Sequence, residues 1–250
     1  MKTFIPFLIS TIAGLSTIIG ALLIFLKIKE ERLNKFISFC LAFSVAIMIG
    51  ISVFDLIPTS FFKVISLYGF TKTSLLLIVS FLLSYIIITI LITLINKDEK
   101  KEELYQLGIL NMVVLMLHNL PEGIATFLSS YHDINLGIKL SIAIMLHNIP
   151  EGIAIAVPIY YSTHSKKKAF NATIISGLSE PLGALLAYLF LKDFVNDFII
   201  SIILIIVAGL MITLSIQEMY PKALKYHEKR SLKLGLLLGF ILVILNIFLS

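Results

Sequence analysis

Eight long apolar stretches follow one another along this chain, and they restrict its fold more than any other feature. They cover about residues 4–26, 36–58, 73–96, 107–129, 138–161, 169–191, 198–220 and 232–249. A helix needs about 20 apolar residues to cross the hydrocarbon core of a bilayer, and only helices and closed barrels satisfy every backbone polar group there. Only 14% of the residues are charged, which excludes an ordinary soluble globule. We therefore expect an all-α polytopic membrane protein in which residues 1–250 form one transmembrane domain of eight helices.

The basic residues between these stretches predict the orientation of the chain. If the N-terminus lies outside, the connections on the cytoplasmic side contain 15 of the 20 Lys and Arg residues. Lys and Arg are concentrated in the cytoplasmic loops of membrane proteins, so we expect both termini to face outwards. The same bias accounts for the net charge of +5, and we expect no nucleic-acid partner.

A repeat relates the first three stretches to the last three in one constant register. The matching residues are Gly14-Leu15-Ser16 with Gly177-Leu178-Ser179, and Met48, Ser52 and Pro58 with Met211, Ser215 and Pro221. We call two positions that this register aligns repeat-equivalent. Because two stretches separate the copies, the second copy enters the membrane the other way up. We expect a 3+2+3 arrangement with an inverted repeat of helices 1–3 and 6–8, a plan that is common among alternating-access carriers.

The two central stretches contain the same six-residue phrase. His118-Asn119-Leu120-Pro121-Glu122-Gly123 recurs in the next stretch as His147-Asn148-Ile149-Pro150-Glu151-Gly152, and we call these the twin phrases. The His and Glu of each phrase are four positions apart, so they share one face of a helix. Imidazole, carboxylate and amide oxygen are ligands for borderline divalent metals. Two such helices side by side predict a binuclear metal site inside the membrane, formed by His118, Asn119, Glu122, His147, Asn148 and Glu151.

Three further acids fall within the apolar stretches. Glu180 lies in the middle of its stretch, and we expect it to be a third contributor to the metal site. Asp55 falls near the outer end of helix 2 and Glu218 near the inner end of helix 7. There they either are interfacial carboxylates that face water, or they attract and receive the ion at opposite mouths of its path. No Lys or Arg falls deep enough to pair with any of these acids, so protonation, water or a bound ion must compensate them.

On these residues the chain resembles the ZIP family of zinc- and iron-type divalent metal transporters, within it the broad-specificity prokaryotic branch. The twin phrases and Glu180-Pro181 carry the resemblance, and the eight-helix plan with both termini outside agrees with it. It implies a multi-pass protein of the prokaryotic plasma (inner) membrane that imports divalent metal into the cytoplasm, with a homodimer as its assembly.

The resemblance also assigns residues. It implies metal ligands at His118, Glu122 and Glu151, and it places the family's asparagine of helix 4 and acid of helix 6 at Asn119 and Glu180. A methionine ligand of helix 2 would fall near Met48. Late in helix 7, where family members often have a His-Glu pair, this chain has Gln217-Glu218, a departure at a possible exit site.

The donor set restricts the metals that this site can bind. His and carboxylate ligands suit Zn²⁺, and the lack of thiolates leaves room for Fe²⁺, Mn²⁺, Co²⁺ and Cd²⁺. We expect the metal to be a transported substrate and membrane lipid to surround the protein, and we expect neither a cofactor nor an enzymatic activity.

Two alternative functions remain open: an intramembrane metalloenzyme (a hydrolase or a di-iron oxidase), and a metal sensor that does not transport. Turnover of a substrate without ion flux would favour the enzyme, and metal binding that leaves the lumen of sealed vesicles unchanged would favour the sensor.

Overall fold

The computed structural model describes residues 3–26, 28–95, 102–191 and 197–249. In this part of the chain eight helices are long and apolar enough to span a membrane: α1 Phe4–Phe25, α2 Glu31–Tyr68, α3 Phe70–Ile95, α4 Glu103–Tyr131, α5 Gly137–Thr163, α6 Lys166–Phe190, α7 Ser201–Lys225 and α8 Lys229–Phe248. The prediction of an all-α multi-pass membrane protein is confirmed. The orientation stays a prediction, and six of the basic residues counted for it lie outside the described residues: Lys2, Lys27, Lys97, Lys100, Lys101 and Lys192.

The largest departure from the predicted boundaries is in α2, which continues to Tyr68 instead of ending near residue 58. A π-helical turn at Ser52–Leu56 immediately precedes the segment that contains Pro58. Proline removes one backbone hydrogen bond, and a wider turn of this kind lets a helix accommodate that loss and continue. Because the helix runs on from Asp55 to Tyr68, Asp55 lies about 20 Å from its end at a rise of about 1.5 Å per residue. The expectation that Asp55 falls near the end of its helix was wrong.

The helices pack in two groups of four. The first group contains α1, α4, α5 and α6, and the second contains α2, α3, α7 and α8, in which α2 packs most extensively on α8. The groups meet mainly where α2 lies against α5, with a smaller contact between α7 and α4. Both twin phrases and Glu180 belong to the first group.

The contact between α2 and α7 is formed by repeat-equivalent residues. Ser52 Oγ lies 3.8 Å from Met211 Sδ, and Ser215 Oγ lies 3.9 Å from Met48 Sδ. A second π-helical turn, Ser215–Met219, matches the one at Ser52–Leu56. Such reciprocal pairs are what a two-fold relation between two elements produces.

Glycines of the twin phrases allow two close helix crossings in the first group. A Cβ at Gly123 of α4 would overlap the carbonyl oxygen of Glu180 in α6, and a Cβ at Gly152 of α5 would overlap that of Thr17 in α1. Small residues let membrane helices approach to backbone contact. Because Thr17 and Glu180 are repeat-equivalent, the two crossings correspond to each other, and the crossing at Gly123 places Glu180 beside the twin phrases.

Candidate metal centre

The His and Glu side chains of the twin phrases meet between α4 and α5. His118 Nε2 lies 3.2 Å from Glu122 Oε1 on its own helix and 3.2 Å from Glu151 Oε1 on the neighbouring helix. His147 Nε2 lies 3.0 Å from Glu122 Oε1. Each histidine therefore contacts the glutamate of the other phrase, and all four side chains, which we call the His–Glu cluster, are buried.

The dimensions of the cluster suit a metal ion. One ligand atom from each of His118, His147 and Glu151 lies within 4.8 Å of the others, and Glu122 lies between the two imidazoles. A divalent ion about 2.0–2.2 Å from its nitrogen and oxygen ligands needs only small side-chain movements to be bound here. The ring centroids of the two histidines are 6.0 Å apart.

Asn148 extends the cluster towards α6. Its Nδ2 donates to Glu180 Oε1 at 2.5 Å and to the carbonyl oxygen of Ala13 in α1 at 3.0 Å. Its Oδ1 and Glu180 Oε2 are buried without a hydrogen-bond partner among the described residues. Both are acceptor atoms, so both can bind a cation. Glu180 itself is fully buried.

Asn119 occupies the equivalent position on α4. In one orientation of its amide, Nδ2 donates to the carbonyl oxygen of Ser176 at 3.4 Å. With the amide turned over, the nitrogen donates to Leu115 O at 2.9 Å and to Glu151 Oε2 at 3.1 Å. Ala13 and Ser176 are repeat-equivalent, so the two asparagines contact corresponding carbonyl groups of α1 and α6.

Three buried carboxylates without a Lys or Arg partner among the described residues are concentrated at this centre. Glu122, Glu151 and Glu180 are at most 4% exposed, and in the described part of the chain no Lys or Arg forms an ion pair with them. Buried carboxylates are costly unless a cation or a proton compensates them. A bound divalent cation would supply that compensation where the donors already converge.

Asp55 and Glu218, which are repeat-equivalent, differ in their partners. Thr59 Oγ1 donates to Asp55 Oδ1 at 3.3 Å. Glu218 forms an ion pair with Lys222, one helical turn later. The expectation that no Lys or Arg could reach a membrane acid was wrong for Glu218, because α7 continues to Lys225 and carries Lys222 back onto the carboxylate.

Gln217 and Glu218 line a cavity of about 380 Å³ between the start of α4 and the end of α7. An ion pair between Lys225 and Glu103, with a nitrogen–oxygen distance of 2.5 Å, joins the two helices at this cavity. Met48 is fully buried, and its sulfur accepts from Ser215. The structure thus brings Glu180 to the His–Glu cluster. It places Met48 in the contact between α2 and α7, and Gln217 at the cavity between α4 and α7.

Two asparagines were missed by the sequence reasoning. Asn111 Nδ2 donates to the carbonyl oxygen of Ala154 at 2.6 Å. This carbonyl has no N–H partner within its own helix, because the residue four positions later is Pro158. Asn246 of α8 is 3% exposed and lines a small buried cavity with His147. A lone amide in an apolar membrane helix is by itself a sign of a specific role, and that signal was present in both stretches.

Sequence comparison finds similarity to zinc transporters. The sequence profile of the ZIP zinc transporter family matches residues 94–246. The chain is 38% identical to the zinc transporter ZupT of Oceanobacillus iheyensis, with 98% of this chain and 97% of that protein covered. It is 35% identical to the zinc transporter ZupT of Streptococcus mutans, with 98% and 97% covered, and 32% identical to that of Clostridium perfringens, with 99% and 96% covered.

Proposed function

This chain belongs to the ZIP zinc transporter family, and we propose that it imports divalent metal ions through the His–Glu cluster in the plasma membrane of a bacterium. The observation that carries the proposal is the convergence of two imidazoles and three carboxylates, all buried and, among the described residues, not paired with any Lys or Arg. The family consists of transporters, so a metalloenzyme is not favoured.

The donors divide into two adjacent positions. His118, His147 and Glu151 form the first, with Glu122 between the imidazoles. The second is formed by Glu180, Asn119 and Asn148, with Glu122 or Glu151 as a bridging carboxylate. Two ions at these positions would give the binuclear site. Zn²⁺ is the preferred ion for this donor set, and Fe²⁺, Mn²⁺, Co²⁺ and Cd²⁺ are further substrates because hard and borderline donors are mixed.

Transport follows from alternating access between the two groups of helices. The reciprocal contacts between repeat-equivalent residues support a 3+2+3 inverted repeat, and such repeats give a carrier two related conformations open to opposite sides. The first group (α1, α4, α5 and α6) would move against the second group (α2, α3, α7 and α8). This movement would make the same ligands accessible first from outside and then from the cytoplasm. Both termini face outwards in this arrangement, the whole chain acts as one domain in lipid, and two chains form a homodimer.

Metal uptake into proteoliposomes tests the proposal. Wild type, His118→Ala and Glu151→Gln are compared with His164→Asn, which changes an exposed histidine outside the cluster and keeps a residue type that tolerates its positive φ of 50°. We expect the first two variants to lose most Zn²⁺ uptake and the control to retain it. Equal uptake by all four proteins would reject the cluster as the transport site. Tight Zn²⁺ binding with an unchanged lumen in wild-type vesicles would identify a sensor instead.

A further inference from the structure

A second concave site lies at the end of the molecule where α2 and α8 begin, away from the His–Glu cluster. It is a cavity of about 730 Å³ whose wall contains three cationic side chains, Lys29, Arg32 and Lys35. All three are exposed, and none forms an ion pair within the described part of the chain. No Asp or Glu among the described residues lines the cavity. The site therefore favours an anion.

The wall also contains apolar side chains of the membrane-spanning helices α2 and α8. Phe36, Phe39 and Leu234 line it, and Leu234 is 50% exposed. At the next position along α8, a Cβ at Gly235 would lie 3.0 Å from the Ala42 side chain of α2. The two helices are thus in close contact next to the cavity.

The start of α8 adds a third element of anion recognition. Ser231, in the first turn of this helix, lines the cavity. The N–H groups of a first helical turn have no carbonyl partner within the helix, and they attract phosphate groups. A hydroxyl and three cations around one cavity, at the start of a helix, match a phosphate ester better than a carboxylate or chloride.

We propose that this cavity binds an anionic phospholipid, with the headgroup phosphate between Arg32, Lys35 and Ser231 and an acyl chain along Phe36, Phe39 and Leu234. The cations lie where the apolar stretch of α2 begins, which is the depth of lipid headgroups. Basic pockets between membrane helices bind anionic lipids in this way. The apolar wall distinguishes a lipid from free phosphate, for which it offers no contact. The site does not depend on the proposed transport function.

Native mass spectrometry of the full chain in mixed micelles tests the proposal with phosphatidylglycerol and phosphatidylcholine as probes. The test variant is Arg32→Gln/Lys35→Gln. The matched control is Lys167→Gln/Lys168→Gln, which removes the same charge from exposed positions outside the cavity. Each cation near an anionic lipid contributes about fivefold in affinity, so we expect phosphatidylglycerol to bind the test variant about 25-fold more weakly and the control almost as tightly as wild type.

Equal weakening in both variants would show a general charge effect and would overturn the proposal, and so would unchanged binding in the test variant. If the test variant does not fold, the wild type still gives an answer. Its melting temperature should rise with phosphatidylglycerol to a plateau, and the same titration with phosphatidylcholine or with inorganic phosphate should give no plateau. A plateau with inorganic phosphate at the same concentration would assign the site to free phosphate, and no plateau with phosphatidylglycerol would reject the site.

Discussion

The glycines of the twin phrases provide a matched pair of substitutions that tests whether the position of Glu180 matters for metal binding. Gly123→Ala places a methyl group 2.0 Å from the carbonyl oxygen of Glu180, and Gly152→Ala places one 1.9 Å from that of Thr17. Ordinary contact begins at 3.4 Å. Since the neighbours are backbone atoms, the opposing helix has to retreat by about 1.4 Å in the first variant and about as far in the second.

Both variants should be destabilised to a similar degree. Overpacking of this kind costs about 1–3 kcal/mol, which lowers the melting temperature by several degrees in either variant. The consequences for the metal differ, because the helix that retreats carries a ligand only in Gly123→Ala. A site tolerates displacements of about 0.5 Å, so we expect Zn²⁺ affinity to fall by about tenfold or more in Gly123→Ala and to change little in Gly152→Ala.

The assay is competition between the purified protein and a fluorescent zinc chelator, with melting temperatures measured on the same samples. Similar affinity losses in both variants would refute the reasoning about Glu180, since they would reflect general destabilisation of the α4–α5 pair. Unchanged melting temperatures in both variants would refute the close helix crossings themselves.

Three further predictions follow from the contacts of the described residues. Glu180→Thr, which introduces the residue found at the repeat-equivalent position of α1, should preserve the melting temperature and weaken Zn²⁺ binding by about tenfold, measured by the same competition. Asn111→Leu leaves the carbonyl of Ala154 without its donor, and a buried unsatisfied group costs about 1–3 kcal/mol, which thermal unfolding in detergent should detect. Lys222→Met leaves the largely buried Glu218 carboxylate unpaired. We expect a lower melting temperature that the double variant Lys222→Met/Glu218→Gln partly restores, because removing both partners costs less than removing one.

Much of the site could be predicted because its signals are local. The i, i+4 spacing in each twin phrase places His and Glu on one face whatever the tertiary structure, and the repetition of the phrase indicated that two such faces meet. The pairing of His118 with Glu151 and of His147 with Glu122 was not predicted, since it depends on how α4 and α5 cross.

Two predictions were wrong because a helix continues beyond the expected end of its apolar stretch. The second stretch was expected to end near residue 58, yet a π-helical turn before Pro58 allows α2 to continue to Tyr68. The same continuation in α7 brings Lys222 to Glu218. Whether a proline ends a helix or is absorbed depends on the packing of the following segment, which is a property of the whole fold.

The grouping of the helices has a kinetic consequence. Every residue proposed to bind metal, from His118 to Glu180, lies on α4, α5 or α6, and these pack together with α1. In the proposed mechanism an ion held there crosses with its coordination shell intact, and exchange of ligands is confined to loading and unloading. For ions that exchange their bound water slowly, such as Ni²⁺, loading and unloading would then be slowed, and the movement between the two sides would not.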